Sequence, residues 1–259
     1  GAAQGPGALR DALANLAAHG IQAVDDLGDV ICEGDALEAA QREYADAARD
    51  AIAAGRLLIG MGGGHEIAWA SYGGLRDALA RDGDGGTVGI VNFDAHLDLR
   101  GDPRATSGTP FRQILEDARL RGRPVAYRCL GVNRYANTAA LFDRAREFGA
   151  SWVEDVDVRP DRWVELTDGL QSFLAGVQHV YLTVCLDVLQ ATAAPGVSAP
   201  AALGVEPALL ERLAALVAAS GKVRVADVAE LNPRFDMDRR TARTAARLVA
   251  RIAETASTA

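Results

Sequence analysis

Three potential metal ligands recur at every second position in the segment NFDAHLDLR (92–100). Asp94, His96 and Asp98 would therefore project to the same side of an extended chain. Carboxylate and imidazole ligands in this arrangement suit a divalent cation such as Mn²⁺. Taken alone, the triplet fits a solvated loop equally well, so other residues must decide between the two interpretations.

Two further segments carry residues of the same chemistry. His65 follows three glycines in GGGHE (62–66), and Asp187 lies near the end of the apolar run YLTVCLDVL (181–189). A lone histidine after a strand most often caps or hydrogen-bonds the backbone. Together with the DxHxD triplet, however, His65 and Asp187 favour a metal centre over separate structural roles.

Cys185 lies two residues before Asp187, so an extended strand would direct both side chains to the same face. Free cysteines are usually buried as small apolar residues, and this is one interpretation of Cys185. The other is that its thiol faces the metal centre. Thiolates favour zinc, copper(I) or iron over Mn²⁺, so a metal-facing Cys185 would alter a manganese site.

Alternating apolar and amphipathic segments predict the fold that would position these residues. Strands are predicted at 56–61, 87–93, 125–132, 179–187 and 223–229, with weaker candidates at 21–26 and 151–158. Helices are predicted at 6–18, 36–54, 66–80, 110–121, 138–148, 161–175, 207–219 and about 238–254. This regular alternation predicts an α/β fold in three α/β/α layers, with a mostly parallel sheet covered by helices on both faces.

The chemically interesting segments all lie where a predicted strand ends. GGGHE, DAHLD and CLD each follow or end a different strand, and AEL (229–231) ends the last one. Parallel sheets bind ligands outside the carboxyl ends of their strands. The fold would thus gather these residues at one edge, including Glu230, for which a solvated strand-end carboxylate is the alternative.

Length and composition restrict the class of protein. A chain of 259 residues that is 49% hydrophobic and 24% charged is typical of a soluble globular protein, which we expect to form one domain over residues 1–259. The net charge of -8 at pH 7 argues against nucleic acid or an anionic membrane as a partner. Three cysteines without CxxC spacing, and no recognisable signal peptide, predict a reducing cytoplasmic location.

The sequence resembles the arginase/agmatinase ureohydrolases through five motifs in the same order, GGGHE, NFDAHLDLR, SGTPFRQ, LDVLQATAAPGVSAP and DVAELNP. Within that family, GGGHE, SGTPF and GVNRYANTAALF are most similar to the formimidoylglutamases. The resemblance extends from GAAQGPGALR to TARTAARLV. In the family a β-strand precedes the segment that GAAQGPGALR resembles, so we expect such a strand before Gly1.

The resemblance implies two Mn²⁺ ions at the carboxyl edge of the sheet. By position, the ligands that it implies are His65, Asp94, His96, Asp98, Cys185 and Asp187. Cys185 takes the place of an aspartate that bridges both ions in the family. A thiolate offers one soft sulfur where a carboxylate offers two oxygens, so we expect a weakened or altered metal pair.

The resemblance also implies the reaction. A hydroxide held between the ions would attack N-formimidoyl-L-glutamate, a substrate of histidine degradation, and release L-glutamate and formamide. Asp98 would carry a proton to the departing amine, and Glu230 would hold the cationic formimino group. We expect Asn133 and Arg134 to bind the substrate carboxylates, since the arginine fork suits bidentate recognition, although a surface loop is the alternative.

Some features keep other functions open. The histidine that shuttles protons near the SGTP block of arginases and agmatinases has no counterpart at residues 107–109. An agmatinase or another guanidino-acid hydrolase is one alternative, and a pseudoenzyme that lost its metal pair through Cys185 is another. A small-molecule ligand is expected in each case. Members of the family are often oligomers, so a homo-oligomer also remains open.

Overall fold

The computed structural model describes residues 1–21 and 23–258, in which one sheet lies between two layers of helices. Its strands are β1 (Leu58–Met61), β2 (Val88–Phe93), β3 (Val125–Val132), β4 (Ser151–Glu154), β5 (His179–Cys185) and β6 (Val223–Ala229). The α-helices are α1 (Gly5–Leu13), α2 (Leu37–Ala53), α3 (Ile67–Arg81), α4 (Pro110–Leu120), α5 (Ala139–Phe148), α6 (Trp163–Ala175), α7 (Pro207–Ala218) and α8 (Arg240–Ala256).

The order of the strands creates a crevice at the centre of the sheet. The order is β1-β6-β5-β2-β3-β4, and all neighbouring strands are parallel. The chain proceeds from β2 to β3 and β4 in one direction, and from β5 to β6 in the other. The carboxyl ends of β2 and β5 therefore lie at the point where the strand order reverses, which is the usual ligand site of such sheets.

Apolar side chains fill both faces of the sheet. One face packs against α1, α6, α7 and α8, where Leu170 and Leu213 are fully buried. The other packs against α2, α3, α4 and α5, where Ile52 and Phe111 are fully buried. Every residue of β2 and β5 is buried, as the apolar runs predict for strands covered on both faces. The predicted three-layer α/β/α fold is confirmed.

The weak strand candidate at 21–26 is wrong for the residues that the structure describes. Residues 21 and 23–26 form no strand, and Gln22 lies outside the described residues. A strand requires a neighbour that shares its hydrogen bonds. Within the described chain this segment pairs with no strand, although β1 lies at the edge of the sheet and pairs only with β6. The Val24 side chain is accordingly 78% exposed.

Other elements are shorter than predicted. Helix α1 ends at Leu13 rather than at residue 18, and β4 spans 151–154 rather than 151–158. Strand β5 ends at Cys185, and Leu186–Val188 forms a single 3₁₀ turn. Among the helices of residues 1–21 and 23–258, none combines the length and apolar character needed to cross a bilayer.

Candidate metal centre

The residues predicted as metal ligands come together at the carboxyl edge of the sheet. His65 lies in the loop after β1, the triplet Asp94, His96 and Asp98 lies after β2, and Asp187 lies in the turn after β5. All are buried except His96, whose side chain is 28% exposed. The sheet therefore joins side chains that are distant in sequence into one cluster.

The loop after β2 is held in shape by its neighbours. The side-chain amide of Asn137 donates to the Ala95 carbonyl at 2.9 Å and accepts from the Leu97 N–H at 2.9 Å. The His96 N–H donates to Asp94 Oδ1 at 2.8 Å. Asp98 has a φ of 48°, in the left-handed region that non-glycine residues rarely occupy. Such a backbone persists only where surrounding contacts enforce it, as is common at functional sites.

One group of ligand atoms surrounds His65. Its Nδ1 lies 2.9 Å from Asp94 Oδ2 and 3.0 Å from Asp98 Oδ2. Within the described chain, no well-directed hydrogen bond reaches this buried nitrogen. Ligand atoms of His65, Asp94 and Cys185 also lie within 4.8 Å of one another. Buried polar atoms normally have partners, so this convergence is what a shared cation would explain.

A second group lies on the other side of Asp94. Ligand atoms of Asp94, His96 and Asp187 lie within 4.8 Å of one another. His96 Nδ1 is 3.1 Å from Asp187 Oδ2 and 3.5 Å from Asp94 Oδ1. Asp94 thus presents Oδ2 to the first group and Oδ1 to the second. If two cations bind, this carboxylate would offer one oxygen to each.

Titration of the cluster also indicates a place for added positive charge. Burial and the charge of Asp94 raise the pKa of Asp98 to about 6, and the same two causes raise the pKa of Asp187. Burial opposes the charged form of His96, but Asp187 and Asp94 outweigh it and raise its pKa to about 11. Burial and mutual repulsion thus disfavour the charged forms of Asp98 and Asp187, and a nearby divalent metal ion would favour those forms. The residues therefore fit a metal pair.

Cys185 satisfies both interpretations of its sequence position. Its side chain is 2% exposed, as expected of a strand cysteine, and its sulfur belongs to the group around His65. Burial, together with the charges of Asp187 and Asp94, raises the pKa of the thiol well above its usual value. Strand β5 ends at Cys185, and Asp187 lies in the 3₁₀ turn that follows, so the two side chains no longer share one strand face. The carboxylate of Asp187 belongs to the group that contains His96.

Glu230 lies beside His65 rather than free in solvent. The His65 N–H donates to Glu230 Oε1 at 2.9 Å, and the Glu230 N–H donates to the Gly63 carbonyl at 2.8 Å. Its φ of 71° is a second left-handed non-glycine conformation at this edge. Burial raises its pKa to about 7, although the His65 N–H acts in the opposite direction.

The loop after β3 approaches the site, but its predicted substrate-binding side chains already have partners. The Asn133 N–H donates to the Ala95 carbonyl at 2.9 Å, and Asn133 Oδ1 accepts from the Tyr135 N–H at 2.9 Å. The Arg134 fork donates to both oxygens of Glu154, at 2.9 and 2.5 Å. A substrate carboxylate would therefore have to compete with Glu154 for Arg134.

The sequence analysis did not predict a buried polar network that lies behind His65. His65 Nε2 is hydrogen-bonded to Thr183 Oγ1 at 2.9 Å. Thr183 is the cross-strand neighbour of Asp227, whose Oδ2 accepts from Ser71 at 2.5 Å and from Tyr181 at 2.7 Å. Thr183 and Asp227 interrupt the apolar runs of β5 and β6, and a carboxylate inside a buried strand is the signal that could have identified them.

Thr183 should tune metal binding through His65. Replacing Thr183 by valine removes the hydroxyl group that orients the imidazole, and loss of such a partner weakens metal affinity by about 10- to 100-fold. Mn²⁺ titration of chelator-stripped protein measures the change, with thermal unfolding as a check of folding. Thr183→Ser, which keeps the hydroxyl group, should bind Mn²⁺ as the parent does. Equal affinity of Thr183→Val and the parent would contradict this role.

Comparisons with known proteins agree with this geometry. The formimidoylglutamase of Ralstonia nicotianae is 53% identical over 255 residues, which cover 98% of this chain and 78% of that protein. The formimidoylglutamase of Aeromonas hydrophila is 50% identical over 250 residues, which cover 96% of this chain and 79% of that protein.

Solved structures and a family model extend the comparison. A variant of Trypanosoma cruzi formiminoglutamase with Mn²⁺ superposes with a TM-score of 0.83 at 25% identity, covering 98% of this chain and 86% of that one. Bacillus subtilis formimidoylglutamase has the same fold, with a TM-score of 0.87 at 21% identity, covering 98% of this chain and 81% of that one. The model of the arginase family matches residues 1–254. The chain therefore belongs to the arginase family.

Proposed function

We propose that the chain is a metal-dependent hydrolase that converts N-formimidoyl-L-glutamate and water into L-glutamate and formamide. The observation that carries the proposal is the pair of ligand groups that share Asp94. Support for this substrate comes from relatives of about 50% identity that are named formimidoylglutamases.

The proposed cofactor is a pair of Mn²⁺ ions. His65, Asp94, Asp98 and Cys185 would hold one ion, and Asp94, His96 and Asp187 would hold the other. When bound, such a pair lowers the pKa of water and neutralises negative charge that develops during hydrolysis. The sulfur of Cys185 makes the first group softer than the second, so we propose weaker Mn²⁺ binding there.

Asp98 and Glu230 are the proposed catalytic residues. Asp98, whose Oδ2 lies 3.0 Å from His65 Nδ1 within the ligand cluster, is placed to move a proton during the reaction. It would deliver that proton to the glutamate nitrogen as the C–N bond breaks, so that the departing group leaves as an amine. Glu230 uses Oε1 to accept from His65, which leaves Oε2 to accept from the formimino N–H groups.

The anionic part of the substrate requires its own partners. We retain Asn133 and Arg134 as proposed binding residues, since Asn133 is bonded to the loop that carries Asp94 and His96. Arg134 would exchange Glu154 for a substrate carboxylate. A homo-oligomer and a cytoplasmic location, both raised by the sequence, remain predictions for light scattering and cell fractionation.

A panel of one amidine and three guanidines tests the proposed function. Steady-state rates with formimidoylglutamate, agmatine, arginine and guanidinobutyrate should be highest for formimidoylglutamate, because the site offers carboxylates to an amidine and arginines to an anionic tail. Cleavage of agmatine alone would reject the proposal in favour of an agmatinase. Ligand binding without turnover of any member, even with excess Mn²⁺, would indicate a pseudoenzyme.

A further inference from the structure

Asp227 is a carboxylate buried inside the sheet, behind the metal centre. It lies on β6, is fully buried, and pairs with Thr183 of β5 in the register of the sheet. Its Oδ2 accepts from Ser71 at 2.5 Å and from Tyr181 at 2.7 Å. Two hydroxyl protons are thus directed at one oxygen of a group that, when ionised, can only accept hydrogen bonds.

The second oxygen of Asp227 needs a donor, and Thr183 is placed to supply it. Oδ1 is buried and receives no well-directed hydrogen bond in the described chain, although buried oxygens normally have a partner. Burial raises the pKa of Asp227, and the hydroxyl groups around it, including that of Thr183, act in the opposite direction. A hydroxyl hydrogen rotates to suit its acceptors, so a turn of the Thr183 O–H toward Oδ1 satisfies this oxygen.

The direction of this hydrogen bond determines where His65 carries a proton. Thr183 Oγ1 also lies 2.9 Å from His65 Nε2. A threonine hydroxyl group has a single proton, so an oxygen that donates to Asp227 can only accept from Nε2–H. The opposite nitrogen, Nδ1, lies 2.9 Å from Asp94 Oδ2 and 3.0 Å from Asp98 Oδ2. A metal ion shared by these groups requires Nδ1 without a proton.

We propose that Asp227 is a positioning residue that acts through Thr183 to keep a proton on His65 Nε2 and so leaves Nδ1 free for the ion. The inference rests on the proposed function through its metal pair, and the identity of the substrate does not enter it. Carboxylates commonly orient metal-binding imidazoles by accepting their second N–H. Here a threonine hydroxyl group stands between the carboxylate and the ring.

Asp227→Asn is the decisive substitution because it reverses the direction of these hydrogen bonds. The amide oxygen can keep the bonds from Ser71 and Tyr181, while the amide nitrogen takes the place of Oδ1. This nitrogen donates to Thr183, whose hydroxyl group then donates to His65 Nε2. The imidazole holds its proton on Nδ1 in this variant, at the atom that the ion should contact.

NMR of the metal-free full chain with ¹⁵N-labelled histidine locates the proton directly. We expect a His65 Nε2–H signal, assigned by its absence from His65→Gln, in the parent and in Thr183→Ser, which keeps the hydroxyl group. Asp227→Asn should lose this signal. Asp155→Asn is the matched control and should keep it, since Asp155 is a buried carboxylate, 8% exposed, outside both ligand groups. Persistence of the signal in Asp227→Asn would overturn the proposal.

Mn²⁺ titration tests the consequence for the metal. It is made in the Cys185→Asp chain, in which we expect two manganese ions, and unfolding temperatures in chelator show whether each variant folds. Asp227→Asn should weaken the binding of one ion by about 10- to 100-fold and leave the other unchanged. Added to Thr183→Val, it should cause no further loss, because both substitutions break the same connection. Losses that add would mean that Asp227 acts by another route and would contradict the proposal.

The two measurements separate failure of this inference from failure of the proposed function. If Mn²⁺ binds to none of the chains, the proposed function fails, and the Nε2–H signal, which needs no metal, still decides the inference. Its loss in Asp227→Asn then supports the role of Asp227, and its persistence overturns that role. If Asp227→Asn instead binds both ions as tightly as the Cys185→Asp chain, the inference fails while the proposed function stands.

Discussion

Replacing Asp94 by asparagine should abolish binding of both metal ions and lower kcat/KM by more than about 1000-fold. The reason is that Asp94 presents Oδ2 to the group around His65 and Oδ1 to the group around His96. An amide keeps the size of the side chain but offers only one neutral oxygen. Elemental mass spectrometry of protein purified with Mn²⁺ and without chelator measures the metal content.

Asp187→Asn is the matched control for Asp94→Asn, because Asp187 belongs to only one of the two groups. Both substitutions are made in the Cys185→Asp chain, in which we expect two manganese ions. Asp187→Asn should there lose one ion and keep the other, whereas Asp94→Asn should lose both. The unfolding temperatures of both variants, measured in chelator, show whether each folds. Retention of the parent's metal content by Asp94→Asn would refute the assignment of Asp94 as the bridge.

Restoring aspartate at position 185 should raise manganese from about one ion to about two ions per chain, and turnover by at least about tenfold. The sulfur of Cys185 stands in the group around His65, where a carboxylate would offer two hard oxygens. Metal content and formimidoylglutamate turnover, measured side by side for parent and Cys185→Asp, provide the test.

Cys32→Asp controls for added negative charge, since Cys32 is an exposed free cysteine outside both ligand groups. Cys185→Ser controls for loss of sulfur without a new carboxylate, and it should not gain a second ion. Two manganese ions per chain in the parent, unchanged in Cys185→Asp, would mean that the thiol is tolerated and that the weakened-site hypothesis is wrong.

Part of this site can be predicted from the sequence because the apolar runs indicate where the strands end. His65, Asp94 and Asp187 each follow or end an apolar run, and parallel topology then brings the ends of β1, β2 and β5 to one edge. The fold class follows from the same alternation of runs and helices.

Other features depend on contacts that no local pattern contains. Arg134 pairs with Glu154 because β3 and β4 are adjacent, which a single sequence does not specify. Thr183 and Asp227 become partners only through the register of β5 and β6. Residues 21 and 23–26 include apolar side chains, yet in the described chain they pair with no strand.

Product analysis tests the central claim most directly. The Mn²⁺-loaded chain is incubated with formimidoylglutamate labelled with ¹³C at the formimino carbon, and the products are followed by NMR. The account predicts labelled formamide and L-glutamate in equal amounts, because Asp98 delivers its proton to the glutamate nitrogen. Labelled N-formylglutamate with ammonia, or no labelled product under conditions in which agmatine is cleaved, would contradict it.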